Sequence, residues 1–392
     1  MKNLTRALAR GAVAFALAAV PLVAPGGAGA QQTPAARIHF LSEVDFPDRS
    51  LEVDGTLVGG LSGLAYDARR GVYYAISDDR GEFAPPRFYT LRIDLAADGF
   101  RDIRFLGVTL LDSDPETPGI QPYEANDSDT EEIVLLPDDT LLISSERDRN
   151  GRPWIRRFAL DGSLLGELPL PDVFNVVQGP GPNGRTTITH GVRTNVGFEG
   201  VTLAPDEDAL YLINEEALAQ DGPLATPAAG TTVRLLRMAM NGATATPPSQ
   251  MVYRTEKIFA EPIPPDQFAD NGVSALTWIR GLMPEFDFLA LERSFSTGVG
   301  NDVNLYGLRT SGADDVSGRD ALGPSFSGRT IDKTLLINMS AIGIVPDNLE
   351  GMVVGPRLPD GRTSLILMSD DNFSEIQTNQ FLLFAIDAPP GK

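Results

Sequence analysis

The sequence predicts an all-β protein: a β-propeller of five four-stranded blades, with the N-terminal strand closing the last blade. Three observations predict it. Apolar residues fall in runs of about five to eight, bounded by Asp-Gly, Pro-Asp and Asn-Gly, which is the texture of short strands joined by tight turns. No stretch carries a sustained helical period. One unit recurs along the chain, and recurrence at this spacing marks repeat architectures.

Each copy is an apolar strand with a small or acidic residue at its start, a turn, and a second apolar strand with a polar end. The first strands open at Ser62, Glu131, Glu199, Ser274 and Glu350, 68 to 76 residues apart. The second strands end in Asp78-Asp79, Glu146-Arg147, Glu215-Glu216, Glu292-Arg293 and Asp370-Asp371. Two more strand-like runs follow in the first four copies. The fifth has one, residues 381–386, before the chain stops, while a spare run at residues 37–44 precedes the first copy. That run supplies the missing strand and leaves no open sheet edge. Six blades remain the alternative count, should a long connection hide another.

The first residues read as an export signal. Lys2, Arg6 and Arg10 precede an apolar run from 12 to 23, followed by small residues at Ala28 and Ala30. That order is the secretory pattern, and the run is short for a membrane span. Residues 1–30 are therefore expected to be removed, leaving 31–392 as a single domain in the periplasm or outside the cell. There is no cysteine, so thiol nucleophiles, thiolate metal sites and disulfides are excluded. The net charge is −21, and removing the signal's basic residues makes it more negative. Nucleic acid and anionic membrane surfaces require a basic face and are not expected partners. A small-molecule substrate is. Oligomeric state is not legible.

The acids are the chemically informative residues. In an antiparallel hairpin the start of the first strand lies beside the end of the second. Glu131, Glu199 and Glu350, and then Asp78, Glu146, Glu215, Glu292 and Asp370 with Asp79 and Asp371 behind, should form two rings at one mouth of the channel. Carboxylates crowded in this way need protons or cations. Arg147 and Arg293 offset part of the charge, and Ca²⁺ held by oxygens is the natural remaining partner. Alternatively, the acids pair locally with Arg or cap turns. The run from Asn126 to Glu132 spaces Asp127, Asp129 and Glu131 like part of a Ca²⁺ loop, without its glycine or distal glutamate.

Other chemistry is sparse. The histidines are His39, in the closing strand, and His190, in a polar loop, a candidate acid or base near the mouth or an ordinary surface residue. No G-x-S-x-G elbow occurs, and the glycine-rich stretch at 179–184 lacks the Lys-Ser/Thr of a P-loop.

The motif residues Gly63-Leu64-Ala65-Tyr66-Asp67 with Ile76-Ser77-Asp78-Asp79-Arg80-Gly81 resemble the phytase-like ("esterase-like activity of phytase") family of exported bacterial proteins. So do Gly197-Phe198-Glu199-Gly200-Val201 with Asn214-Glu215, and Asn348-Leu349-Glu350-Gly351-Met352 with Ser369-Asp370-Asp371-Asn372-Phe373. The resemblance spans about residues 38 to 388. It implies a propeller and a phosphoesterase or esterase activity, with Glu199, Glu215, Glu350 and Asp370 as motif positions. The acidic motifs carry few basic residues, so a highly anionic substrate would need several bound Ca²⁺ ions.

The leading expectation is therefore metal-assisted hydrolysis. Carboxylates would hold Ca²⁺, Arg80, Arg147 and Arg293 would contact phosphate oxygens, and Glu215 or Glu216 would act as base. The alternatives are a non-catalytic ligand- or partner-binding propeller with structural Ca²⁺, and a metal-dependent sugar-lactone hydrolase.

Overall fold

Innermost strands buried on both faces form a ring at the centre of the molecule. The computed structural model describes residues 34–388, apart from 48, 182–184, 207, 241–247 and 324–325. The predicted signal segment lies outside the described residues. Among those residues, no helix is long and apolar enough to cross a membrane.

Five four-stranded antiparallel sheets follow one another along the chain. Blade 1 comprises Leu61–Asp67, Val72–Ser77, Arg87–Ala96 and Gly99–Leu110. Blade 2 comprises Thr130–Leu135, Thr140–Ser145, Trp154–Ala159 and Leu164–Leu168. Blade 3 comprises Phe198–Ala204, Ala209–Asn214, Thr232–Ala239 and Ser249–Arg254. Blade 4 comprises Ala269–Trp278, Phe288–Ser296, Gly300–Arg309 and Asp332–Asn338. Blade 5 has Leu349–Arg357, Thr363–Ser369 and Thr378–Ile386, and its outer strand is Ile38–Pro47. This last pairing runs from Ile38 opposite Ile386 to Pro47 opposite Thr378. Five blades and the N-terminal closure are as the repeat predicts. The first strand of each blade touches the first strand of the next, and that of blade 5 touches that of blade 1.

Burial explains why the sequence reads as it does. Val72–Ser77, Ala209–Asn214 and Thr363–Ser369 are buried at every position. Their sequences are continuous apolar runs because both faces are covered by neighbouring blades. The outer strands face water on one side, and Leu164–Leu168 contains no buried residue. Each blade-to-blade seam has its own apolar cluster. Ile76, Ile133, Ile143 and Trp154 fill the seam between blades 1 and 2. Ala75, Tyr89, Met368 and Phe381 fill the seam between blades 5 and 1, where the chain closes on itself. Truncating one of these large side chains to alanine costs about 2–5 kcal/mol.

Candidate functional site

All five innermost strands carry the same irregularity. The register with the second strand slips between Leu61 and Leu64, Thr130 and Ile133, Phe198 and Gly200, Val273 and Ala275, and Leu349 and Gly351. The skipped residues include Ser62, Glu131, Glu199, Ser274 and Glu350, the positions that open each repeat. A bulge takes a side chain out of strand alternation and re-aims it. Here it turns Glu131, Glu199 and Glu350 into a cavity of about 870 Å³ at one mouth of the ring. The serines lock seams instead: Ser62 Oγ donates to Glu131 Oε2 (3.0 Å), and Ser274 Oγ donates to the Leu349 carbonyl (2.9 Å).

The ends of the second strands supply the other ring. Asp78, Glu146, Glu215, Arg293 and Asp370 all line the cavity. Four of them reach over the next blade, two residues before its bulge, whereas Asp370 accepts from Asn348 Nδ2 (3.5 Å) and Asn372 N (2.8 Å). Glu146 Oε1 accepts from Gly197 N at 2.5 Å. Glu215 packs against Gly272, where a Cβ would lie 2.4 Å from Glu215 Cγ. Arg293 donates through Nη1 to Asn348 Oδ1 and through Nη2 to Glu215 Oε1 (2.7 Å). Asp78 is set against Asp129.

Two trios of ligand atoms within 4.8 Å of one another result: Asp78 with Asp129 and Glu131, and Glu131 with Glu146 and Glu199. Glu131 belongs to both. Burial first, and then mutual repulsion, pushes Asp78, Glu131 and Glu199 well above the usual carboxylate range. Burial and Asp129 push Glu146 up to about 7. Glu215 is raised mainly by burial, against the opposing pull of Arg293. Oδ1 of Asp78 is buried without a hydrogen-bond partner. A carboxylate oxygen in that position lacks the compensation that burial demands. All-oxygen donors, crowded negative charge and an unpartnered carboxylate oxygen fit a hard divalent cation. Asp78, Asp129, Glu131, Glu146 and Glu199 are the residues that could hold one.

The model of the phytase-like family, described as "esterase-like activity of phytase", matches residues 56–373. The chain belongs to the phytase-like family. No curated protein matches it. Solved structures similar to the phytase-like chain are remote. An α-L-arabinofuranosidase from Lactobacillus brevis is 12% identical over 85% of this chain and 92% of its own, with a TM-score of 0.39. A glucose dehydrogenase is 12% identical over 90% and 99%, with a TM-score of 0.37. A structure from the GH130 family, in which glycoside hydrolases target β-1,2 mannosidic linkages in Candida mannan, is 10% identical over 95% and 99%, with a TM-score of 0.41. None of the three bears on chemistry.

Several expected site residues of the phytase-like chain lie elsewhere. Blade 4 is read one residue out of phase in the sequence. Arg293, not Glu292, occupies the ring position, because Glu292 pairs with Val273 just before the bulge. Glu292 instead enters a buried network, accepting from Tyr253 Oη, Lys333 Nζ (2.6 Å) and Glu256 N (2.8 Å). The second residue of each acidic pair also turns away, since successive side chains alternate. Asp79 accepts an ion pair from buried Arg87 (2.8 Å) and caps the N–H groups of Glu82 and Ala84. Glu216 accepts from Ala225 N (2.9 Å), and Asp371 accepts from Gly60 N (2.8 Å) and Asn379 Nδ2 (2.7 Å). Of the two candidate bases, Glu215 alone lines the cavity.

Arg147 pairs with Asp129 (3.0 Å) and lines an adjoining cavity of about 380 Å³, with Arg149 and Arg193. Arg80 lines the main cavity and holds Asp129 at 2.6 Å. His190 bonds Asp320 (2.9 Å) and lines neither cavity. His39 bonds Asp387 (3.0 Å). Of the Ca²⁺-loop-like run, Asp129 and Glu131 reach the site, whereas Asp127 is drawn off by Arg149. Sequence reasoning missed Asp270, which lines the cavity, is raised mainly by burial and accepts from Phe295 N (3.2 Å). Its signal is its place at the start of an unusually long innermost strand, Ala269–Trp278.

Proposed function

We propose that this phytase-like protein is an exported, metal-dependent hydrolase of phosphoester bonds, acting on a small molecule at the acid-lined mouth. The single observation that carries this reading is the sharing of Glu131 between two carboxylate trios. Asp78, Asp129, Glu131, Glu146 and Glu199 would hold hard cations, which when bound would neutralise phosphoryl oxygens and acidify a water. The preferred ion is Ca²⁺, given the all-oxygen donors.

The chain's own residues have separable tasks. Arg293 presents a guanidinium beside Glu215, and Arg80 presents one beside Asp129; each can dock a phosphate oxygen by charge-assisted hydrogen bonds. Glu215, held by Arg293 and lining the cavity, is placed to accept a proton from water. Glu146 and Glu199 share a carboxyl–carboxylate hydrogen bond, which a bound cation would replace.

The test is calorimetric titration of Ca²⁺ into EDTA-stripped protein, followed by hydrolysis assays on phosphomonoesters, phosphodiesters, carboxyl esters and lactones. Phosphoester turnover that requires Ca²⁺ and is lost in Glu131→Gln is the expected result. No Ca²⁺ binding at millimolar concentration would remove the reading. Binding without any turnover would leave a cation-stabilised ligand-binding propeller.

A further inference from the structure

The cavity has a second character, which the acids obscure. On the side of blades 4 and 5, apolar side chains stand among the polar ones. Phe268, Phe295, Val299, Val345 and Ile376 line the cavity there. Ile376 is 93% exposed and Val345 85%, more than any other large apolar side chain among the described residues. Phe268 is 65% exposed, and its ring meets that of Phe295 at 6.0 Å. None of the five belongs to a core cluster. Single exposed apolar residues are ordinary, but a group rimming one concave site marks a place where something apolar docks.

The charges define the rest of the ligand. Arg80 and Arg293 are the basic side chains of this cavity, and each is already paired with an acid. The carboxylates Glu43, Asp45, Asp270 and Asp347 surround the same opening. A multiply phosphorylated ring would place several dianions against these acids, with two guanidiniums to receive them, and like charges in a buried site repel strongly. A ligand with one anionic group and an apolar body meets both faces.

We infer that the substrate is a monoester of an apolar alcohol. Its single anionic head sits over the acid rings between Arg80 and Arg293, and its hydrocarbon or aryl body lies on the Phe268–Val345–Ile376 rim. The inference rests on the phosphoesterase reading for the nature of the head, but the rim's contribution is measurable without turnover.

The test is calorimetric binding of methyl-, butyl- and octylphosphonate to the Ca²⁺-loaded protein and to a Phe268→Ser, Val345→Ser, Ile376→Ser variant. These side chains are exposed, so the variant is expected to melt with the parent; Ile376→Ser alone provides a milder version. Affinity should rise about two- to fourfold per methylene in the parent, as partial to full burial of each CH₂ predicts, and the rise should flatten in the variants. Affinity independent of chain length, a rise that survives in the triple variant, or no binding of any phosphonate would each overturn the inference. A chain-length-dependent affinity in a protein that hydrolyses no phosphoester would uphold the apolar rim while sinking the hydrolase reading.

Discussion

Gly272 lies directly beneath Glu215. A methyl group at Gly272 would come within 2.4 Å of Glu215 Cγ and 3.0 Å of Cδ, so the glycine of blade 4 makes room for the acid of blade 3. Gly272→Ala should displace Glu215 from Arg293, cost about 1–3 kcal/mol by overpacking and abolish phosphoester turnover. Gly281→Ala, where nothing lies within 4 Å, should do neither. Denaturant midpoints and turnover for the two variants check this.

Glu131 should show opposite effects in the two states of the protein. Glu131→Gln removes one charge from both trios and relieves repulsion in the cation-free form. Its melting temperature in EDTA should therefore rise, while the increment gained on adding Ca²⁺ shrinks and Ca²⁺ affinity falls at least tenfold, or about 1.4 kcal/mol at 25 °C. A lowered melting temperature in EDTA would mean that the charge is stabilising as it stands.

The raised carboxyls set the pH dependence. A carboxyl whose folded-state pKa lies above its unfolded value of about 4.3 stabilises the fold below that value and loses the contribution as pH rises through the folded pKa. For Glu146 that window runs from about 4.3 to about 7. Asp78, Glu131 and Glu199 are raised as well and extend the loss in the same direction. The cation-free protein should thus weaken steadily from pH 5 to pH 8, and saturating Ca²⁺ should flatten the curve. Urea midpoints across that range, with and without EDTA, measure it; a rise in EDTA would contradict the crowding.

The adjacent acids Asp78 and Asp79 should behave as different residues. Asp78→Asn touches a site residue with an unpartnered oxygen and should leave stability unchanged or higher. Asp79→Ala strips the partner from Arg87, whose side chain is 0% exposed, and should cost about 3–5 kcal/mol. Equal effects in chemical denaturation would refute the division of labour within the acidic pairs.

Much of this architecture can be read from the chain. Repetition at 62, 131, 199, 274 and 350 gives the blade count, and the short fifth copy points to the N-terminal strand. The bulges are hidden, but their occupants are the residues that open each copy, so Glu131, Glu199 and Glu350 were recoverable by position alone. What fails is phase. A one-residue slip moves a side chain to the opposite face of a strand, and Leu291-Glu292-Arg293 offers two charged residues with nothing local to choose between them. The same ambiguity hides the turn of Asp79, Glu216 and Asp371 away from the cavity. Asp270 and the apolar rim come from connections and strand extensions outside the repeat, where no internal copy exists for comparison.

The pairing of Ile38 with Ile386 also imposes an order in time. A ribosome releases the first of these strands hundreds of residues before the second, so the outer strand of the closing blade waits without its partner while everything between them is made. Contacts this distant in sequence slow folding, and the ring cannot shut until the final strand has emerged. Until that strand arrives, the outer edge of the closing blade is an unpaired template for any other strand that meets it.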